Sequence, residues 1–136
     1  MITDRLYDLA DHDGIEVICG AKLSLNKSIS VKDGENLYIG IDDSAMTTSA
    51  EERVHLAHEL GHCETGSFYN MYSPIDNRGK CEEKANEWAI HNLIPEEDLR
   101  SVIASRDGEI SVWELSEHFD VTEPFMQKAL TLYFKS

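Results

Sequence analysis

Apolar residues recur at helical spacing near the start of the chain, at Leu6, Leu9 and Ala10, with Thr3 placed to cap the helix and Asp13-Gly14 to stop it. The period then shortens. Ile15 to Ile18 is a strand-like run, and Ile29 to Val31 and Leu37 to Ile41 alternate apolar with polar residues on either side of Lys32-Asp33-Gly34-Glu35, the pattern of a hairpin. A small sheet of about three strands is expected.

From Ser49 the helical period returns. Ser49 and Glu52 have capping-box spacing ahead of Val54, Leu56, Ala57 and Leu60, and Gly66 is the expected end of that helix. Ser67 to Gly79 reads as a loop, because Pro74, Asp76-Asn77 and Gly79 punctuate it, while Phe68, Tyr69 and Tyr72 give it something to cover. A second long helix is expected from about Lys80 to Leu93, stopped by Pro95, which opens a third led by Glu96, Glu97 and Asp98. Beyond the turn Arg106-Asp107-Gly108, Ser111 with Glu114 caps a helix to Phe119. Thr122 and Pro124 then open a last one carrying Phe125, Met126, Ala129, Leu130 and Leu132. No repeat or linker interrupts the pattern. It predicts an α+β fold in one domain, 1–136, with a core over 1–95 and a helical C-terminal part over 96–136.

Composition narrows the partners. The 136 residues carry 26 Asp and Glu against 12 Lys and Arg, a net charge of -14, which leaves little surface able to neutralise phosphate. Nucleic acid and anionic membrane are poor fits. No run approaches the roughly 20 apolar residues of a membrane span, and Met1 to Asp13 hold four Asp where a signal peptide would be apolar. With three cysteines, Cys19, Cys63 and Cys81, an odd number, the expectation is a cytoplasmic protein with free thiols.

The chemistry concentrates at His58-Glu59-Leu60-Gly61-His62, an HExxH motif. On a helix, residues four apart differ by about 40 degrees, so both imidazoles leave one face and can hold one metal, while Glu59, about 100 degrees round from His58, can reach a water on that metal. A catalytic zinc site needs a third protein ligand. The helix after the loop offers Glu82, Glu83 and Glu87. Cys81, Ala85, Trp88, Ala89 and Leu93 define its apolar side, and only Glu82 lies on that side, with Glu83 and Glu87 roughly 155 to 165 degrees from its centre. A carboxylate on an apolar face is either a boundary group reaching for water or the partner of a buried cation.

Leu56-Ala57-His58-Glu59-Leu60-Gly61-His62 and Glu82-Glu83-Lys84-Ala85-Asn86-Glu87-Trp88-Ala89, followed by Leu93-Ile94-Pro95, resemble the two motifs of the ImmA/IrrE metallopeptidases of phages, mobile elements and their hosts. The resemblance covers roughly 37–95 and extends more loosely beyond. It implies a zincin-like domain, a small sheet packed on the HExxH helix with C-terminal helices added. Zn2+ would sit on His58, His62 and Glu82, one per chain, with Glu59 as catalytic base, in a gluzincin-like endopeptidase. It also implies a protein substrate, a helix-turn-helix repressor encoded nearby, whose cleavage would derepress a phage or mobile element. The competing possibility is an antirepressor that binds metal and repressor without cutting.

Other residues carry weaker signals. His55, on the same face as His58 and His62, is either a donor behind the ligands, an oxyanion stabiliser or a packed side chain. Tyr69 and Tyr72 can donate to an oxyanion or seal the core. His91 lies opposite Glu82 on its helix, and Cys63 and Cys81 lack CxxC spacing, so all three read as structural. The segment from Ser111 to Tyr133 looks like a helix-turn-helix, but between Asp107 and Ser136 six acidic residues outweigh two lysines, which points to packing or protein docking.

Overall fold

The elements follow the predicted order in the computed structural model, which describes residues 2–23, 26–70 and 72–134. Helix α1 (Ile2–His12) leads into β1 (Ile15–Cys19), the hairpin β2 (Ser28–Asp33) and β3 (Asn36–Ile41), and a 3-10 turn over Asp43–Ala45. Helices α2 (Ser49–Thr65), α3 (Ile75–Leu93), α4 (Glu96–Ala104), α5 (Val112–Phe119) and α6 (Glu123–Phe134) complete the chain.

The sheet has the order β1-β3-β2, with β1 parallel and β2 antiparallel to β3. The hairpin closes through Gly34-Glu35, and Gly34, at φ +64, supplies the left-handed conformation that a two-residue hairpin turn demands. Ile39 and Ile41 on the central strand are fully buried, and their partners across the ladder on β2 are Ser30 and Ser28. The apolar members of β2, Ile29 and Val31, are instead exposed. The polarity of this strand is thus opposite to that of a core strand, because its inner face looks onto a cleft, while β3 and the start of β1 look onto the core.

Three boundaries differ from the sequence expectation. Thr3 lies inside α1 and does not cap it. The N-cap of α2 is Thr48, not Ser49: Thr48 has extended dihedrals and its hydroxyl accepts from the Glu51 N–H, while the Glu51 carboxylate accepts from the Thr47 N–H and hydroxyl. Ser49 is left free to donate to Asp120, at 3.0 Å. Helix α3 starts at Ile75, well before Lys80, because Pro74 at its N-cap begins a helix whose first turns happen to be spelled in turn-like residues, Asp76, Asn77 and Gly79.

The predicted capping box at Ser111 and Glu114 is present in both directions, Gly66 ends α2 in the left-handed conformation, and the Thr122 hydroxyl accepts from Phe125 at 3.4 Å. Leu115, Val121, Phe125, Met126 and Ala129 from α5, α6 and the corner between them join the same buried cluster as Leu56, Leu60, Ile39 and Leu93. The C-terminal helices are therefore core. Arg53 of α2, almost wholly buried, donates to the carbonyls of Phe119 and Asp120 at 2.7 and 3.2 Å and ties the α5–α6 corner to the middle of the fold. All three cysteines are free thiols, and among the described residues no helix is long and apolar enough to cross a membrane.

Candidate metal centre

The site begins with a glycine. A Cβ at Gly61 would lie 2.4 Å from the Ala85 carbonyl oxygen and 2.9 Å from the Ala85 Cα, so α2 and α3 approach backbone to backbone, closer than any side chain there would permit. That contact brings Glu82, one turn before Ala85, against the histidine face of α2. The His58 Nε2 is 2.8 Å and the His62 Nε2 3.1 Å from the Glu82 Oε2, and the two nitrogens are 3.2 Å apart.

The outer nitrogens decide what those inner atoms offer. His62 Nδ1 is 2.6 Å from the backbone carbonyl of Ser67, which can only accept, so Nδ1 carries the proton. His58 Nδ1 donates in the same way to the Asn86 Oδ1 at 2.8 Å. In the tautomer this fixes, the lone pair of each ring is the one at Nε2, and both Nε2 atoms face a carboxylate oxygen. Three acceptors aimed at one point repel unless a cation lies between them. Ligands of a tetrahedral zinc at about 2.0 to 2.1 Å stand about 3.3 Å apart, and the observed triangle is only slightly tighter. The donor set fits a divalent metal ion, and these three residues could hold one.

Around the triangle, the Tyr69 hydroxyl donates to the free Glu82 oxygen at 2.5 Å. Burial raises the Glu82 carboxyl, but the Tyr69 hydrogen bond and the two histidines outweigh it and hold the group below its ordinary value. The same hydrogen bond, with burial, pushes Tyr69 up to about 12. Glu59, buried, accepts from the Ser28 hydroxyl at 2.7 Å. Because that hydroxyl has one proton to give, its second contact, at 2.9 Å to the His55 Nδ1, is an acceptance from His55. His55, Ser28 and Glu59 thus form one hydrogen-bonded chain, and burial lowers His55 so that the ring stays neutral within it. A cleft of about 670 Å³ opens over Glu59, His58, His62, Glu82 and Tyr69, with Ser28 and Ser30 of the free-edged strand β2 along one wall.

The structure brings together His55, His58, Glu59, His62, Tyr69 and Glu82. Tyr72 stays out, at 87% exposed and away from the cleft wall. Glu83 and Glu87 are exposed, as the helical wheel requires. His91 is bonded to Tyr133 far along α3, and the Cys63 thiol, pushed up to about 12 by burial, and the buried Cys81 belong to the packing. Ser28, Ser67 and Asn86 were not among the expected site residues. Asn86, four residues after Glu82 on the same helix face, could have been found from spacing; Ser28, on a strand thirty residues upstream, has no local signal, and the Ser67 carbonyl is backbone.

No curated protein matches the chain significantly. Residues 10–131, however, match the family model of the IrrE N-terminal-like domain, Peptidase_M78, which spans every element that builds this site. A peptidase family whose model runs from α1 to α6, over a fold that converges two helical histidines and a glutamate on one point, assigns a metallopeptidase-type function. This chain belongs to the IrrE N-terminal-like domain family.

Proposed function

We propose that this chain is a zinc-dependent endopeptidase in which His58, His62 and Glu82 hold a single Zn2+ and Glu59 is the general base and acid. The observation that carries this reading is the convergence of two imidazole Nε2 atoms and a carboxylate beside the buried Glu59, whose carboxylate is held by Ser28 through one oxygen. A bound zinc ion supplies Lewis acidity, lowering the pKa of water and polarising the scissile carbonyl. The protein supplies the proton handling. Ser28 fixes one oxygen of Glu59, leaving Oε1 to take the proton of the attacking water and pass it to the leaving amine. Asn86 and the Ser67 carbonyl orient the imidazoles, and Tyr69 steadies Glu82.

The outer edge of β2 beside the cleft, unpaired among the described residues, suits an extended polypeptide added as a further strand. The partner we propose is a helix-turn-helix repressor of a phage or mobile element, with this chain acting as its antirepressor in the cytoplasm. A net charge of -14 favours association with a basic DNA-binding protein.

Two variants test the reading. Glu59→Gln is expected to keep one zinc per chain and the repressor complex while losing cleavage by about 10²-fold or more. Glu82→Ala is expected to lose the metal and Glu83→Ala to keep it. Undiminished antirepression by Glu59→Gln would favour a binder over an enzyme, and metal loss confined to Glu83→Ala would overturn the ligand set.

A further inference from the structure

A second groove, of about 370 Å³, leaves the metal centre on the side away from β2. It shares His55, His58 and Glu82 with the first cleft, so the two adjoin at these residues as the arms of a trough. Its far wall is the start of α6, where Thr122, Pro124 and Phe125 lead to Lys128. Four of the chain's cations, Lys27, Arg53, Arg100 and Arg106, are engaged with carboxylates. Lys128, like Arg5, Lys22, Lys32, Lys80 and Lys84, has no such partner among the described residues, and of these it is the one that lines this groove, where it stands exposed. In a protein with more than twice as many acidic as basic residues, an unengaged ammonium beside the reacting centre is a local exception to the surrounding field.

From this we infer that the α6 groove is a specificity subsite, in which Lys128 receives an Asp or Glu side chain of the substrate on one side of the cleaved bond. The inference rests on the peptidase reading for what occupies the trough, and on the groove's own charge for which residue is selected. Phe125 and Pro124 give the methylene stem of such a side chain an apolar wall, and the long lysine stem lets the ammonium follow the carboxylate. Overall charge and subsite then act at different ranges. The acidic surface draws in a basic protein, and Lys128 chooses, within it, the segment that carries an acid.

The probe is a library of decapeptides blocked at both ends, so that only side chains are charged, passed over immobilised zinc-loaded Glu59→Gln protein and, in parallel, digested by the wild type. Retained peptides are expected to be enriched in Asp or Glu at one position. Adding Lys128→Glu to the immobilised protein should invert that enrichment toward Lys and Arg, and Lys128→Arg should keep it. In the digestion arm, cleaved sequences should show the same acidic position, with a change of roughly tenfold carried by KM when Lys128→Glu is compared on matched Glu and Lys peptides. Acidic enrichment that survives Lys128→Glu, or no enrichment at all, overturns the inference. Enrichment that depends on Lys128 without any cleavage by the wild type upholds the subsite and defeats the peptidase reading instead.

Discussion

Single atoms decide the site, and Gly61 is the clearest case. Gly61→Ala places a methyl group inside the Ala85 backbone, so α2 and α3 must separate and carry Glu82 away from the histidines. We expect a cost of about 1 to 3 kcal/mol and weakened metal binding. Gly79, also helical but with no atom within 4 Å of its would-be Cβ, is the control: Gly79→Ala should add about 0.5 to 1 kcal/mol of stability. Urea unfolding of the two variants, with metal titrations, checks the contrast, and equal effects would reject it. Asn86→Leu removes the acceptor that fixes the His58 tautomer, and zinc affinity measured against a competing chelator should fall by about 10- to 100-fold. Glu64, on the last turn of α2, behaves differently. Burial and then Asp13 push it up to about 7 from 4.5, so folding favours its neutral form, and the associated stability is present below 4.5 and lost as pH rises through about 7. Since most of Glu64 is in solvent, screening reduces this to about 1 kcal/mol or less. The urea midpoint of the wild type should therefore drop more than that of Glu64→Gln between about pH 5 and pH 8; parallel profiles would exclude this contribution.

At the scale of elements, what could be read in advance was what repeats locally. The faces of α2 and α3 follow from helical period, so the inward position of Glu82 and the outward ones of Glu83 and Glu87 were visible in the order of residues. The start of α3 was not, because Asp76, Asn77 and Gly79 favour turns when taken singly, and it is the packing of the later helix that carries them along. Strand β2 was legible as a strand, but which of its faces meets the protein was not, since alternation alone does not say whether a core or a cleft lies beneath. The same limit hid Ser28. The corner between α5 and α6 depends on a partner distant in sequence, Arg53, and this gives a prediction. Arg53→Met leaves the Phe119 and Asp120 carbonyls without their charged donor and should cost about 2 to 3 kcal/mol. Hydrogen exchange should place the loss mainly in α5 and α6, whereas uniform loss across the fold would show that the corner is not a separable unit.

For the molecule as a whole, the predicted α+β architecture stands, and the C-terminal helices serve as core. The fold keeps its chemistry close together in the chain. All three metal-facing donors lie between residues 58 and 82, on consecutive helices joined by a short loop, whereas β1 and β3, which pair in parallel, are separated by the whole of β2. The two pairings close loops of similar length, but helices grow from local contacts whereas a parallel strand pair has only non-local ones. A refolding chain should therefore protect the amides of α2 and α3 before those of β1, as pulsed hydrogen exchange can read. A metal held there would then have a kinetic role: by bridging the two helices it would stabilise a contact made before the folding barrier is crossed, and so should raise the refolding rate while leaving the unfolding rate nearly unchanged. Slower unfolding with unaltered refolding would place the helical pairing after the barrier, and make the metal a clasp fastened on a finished protein.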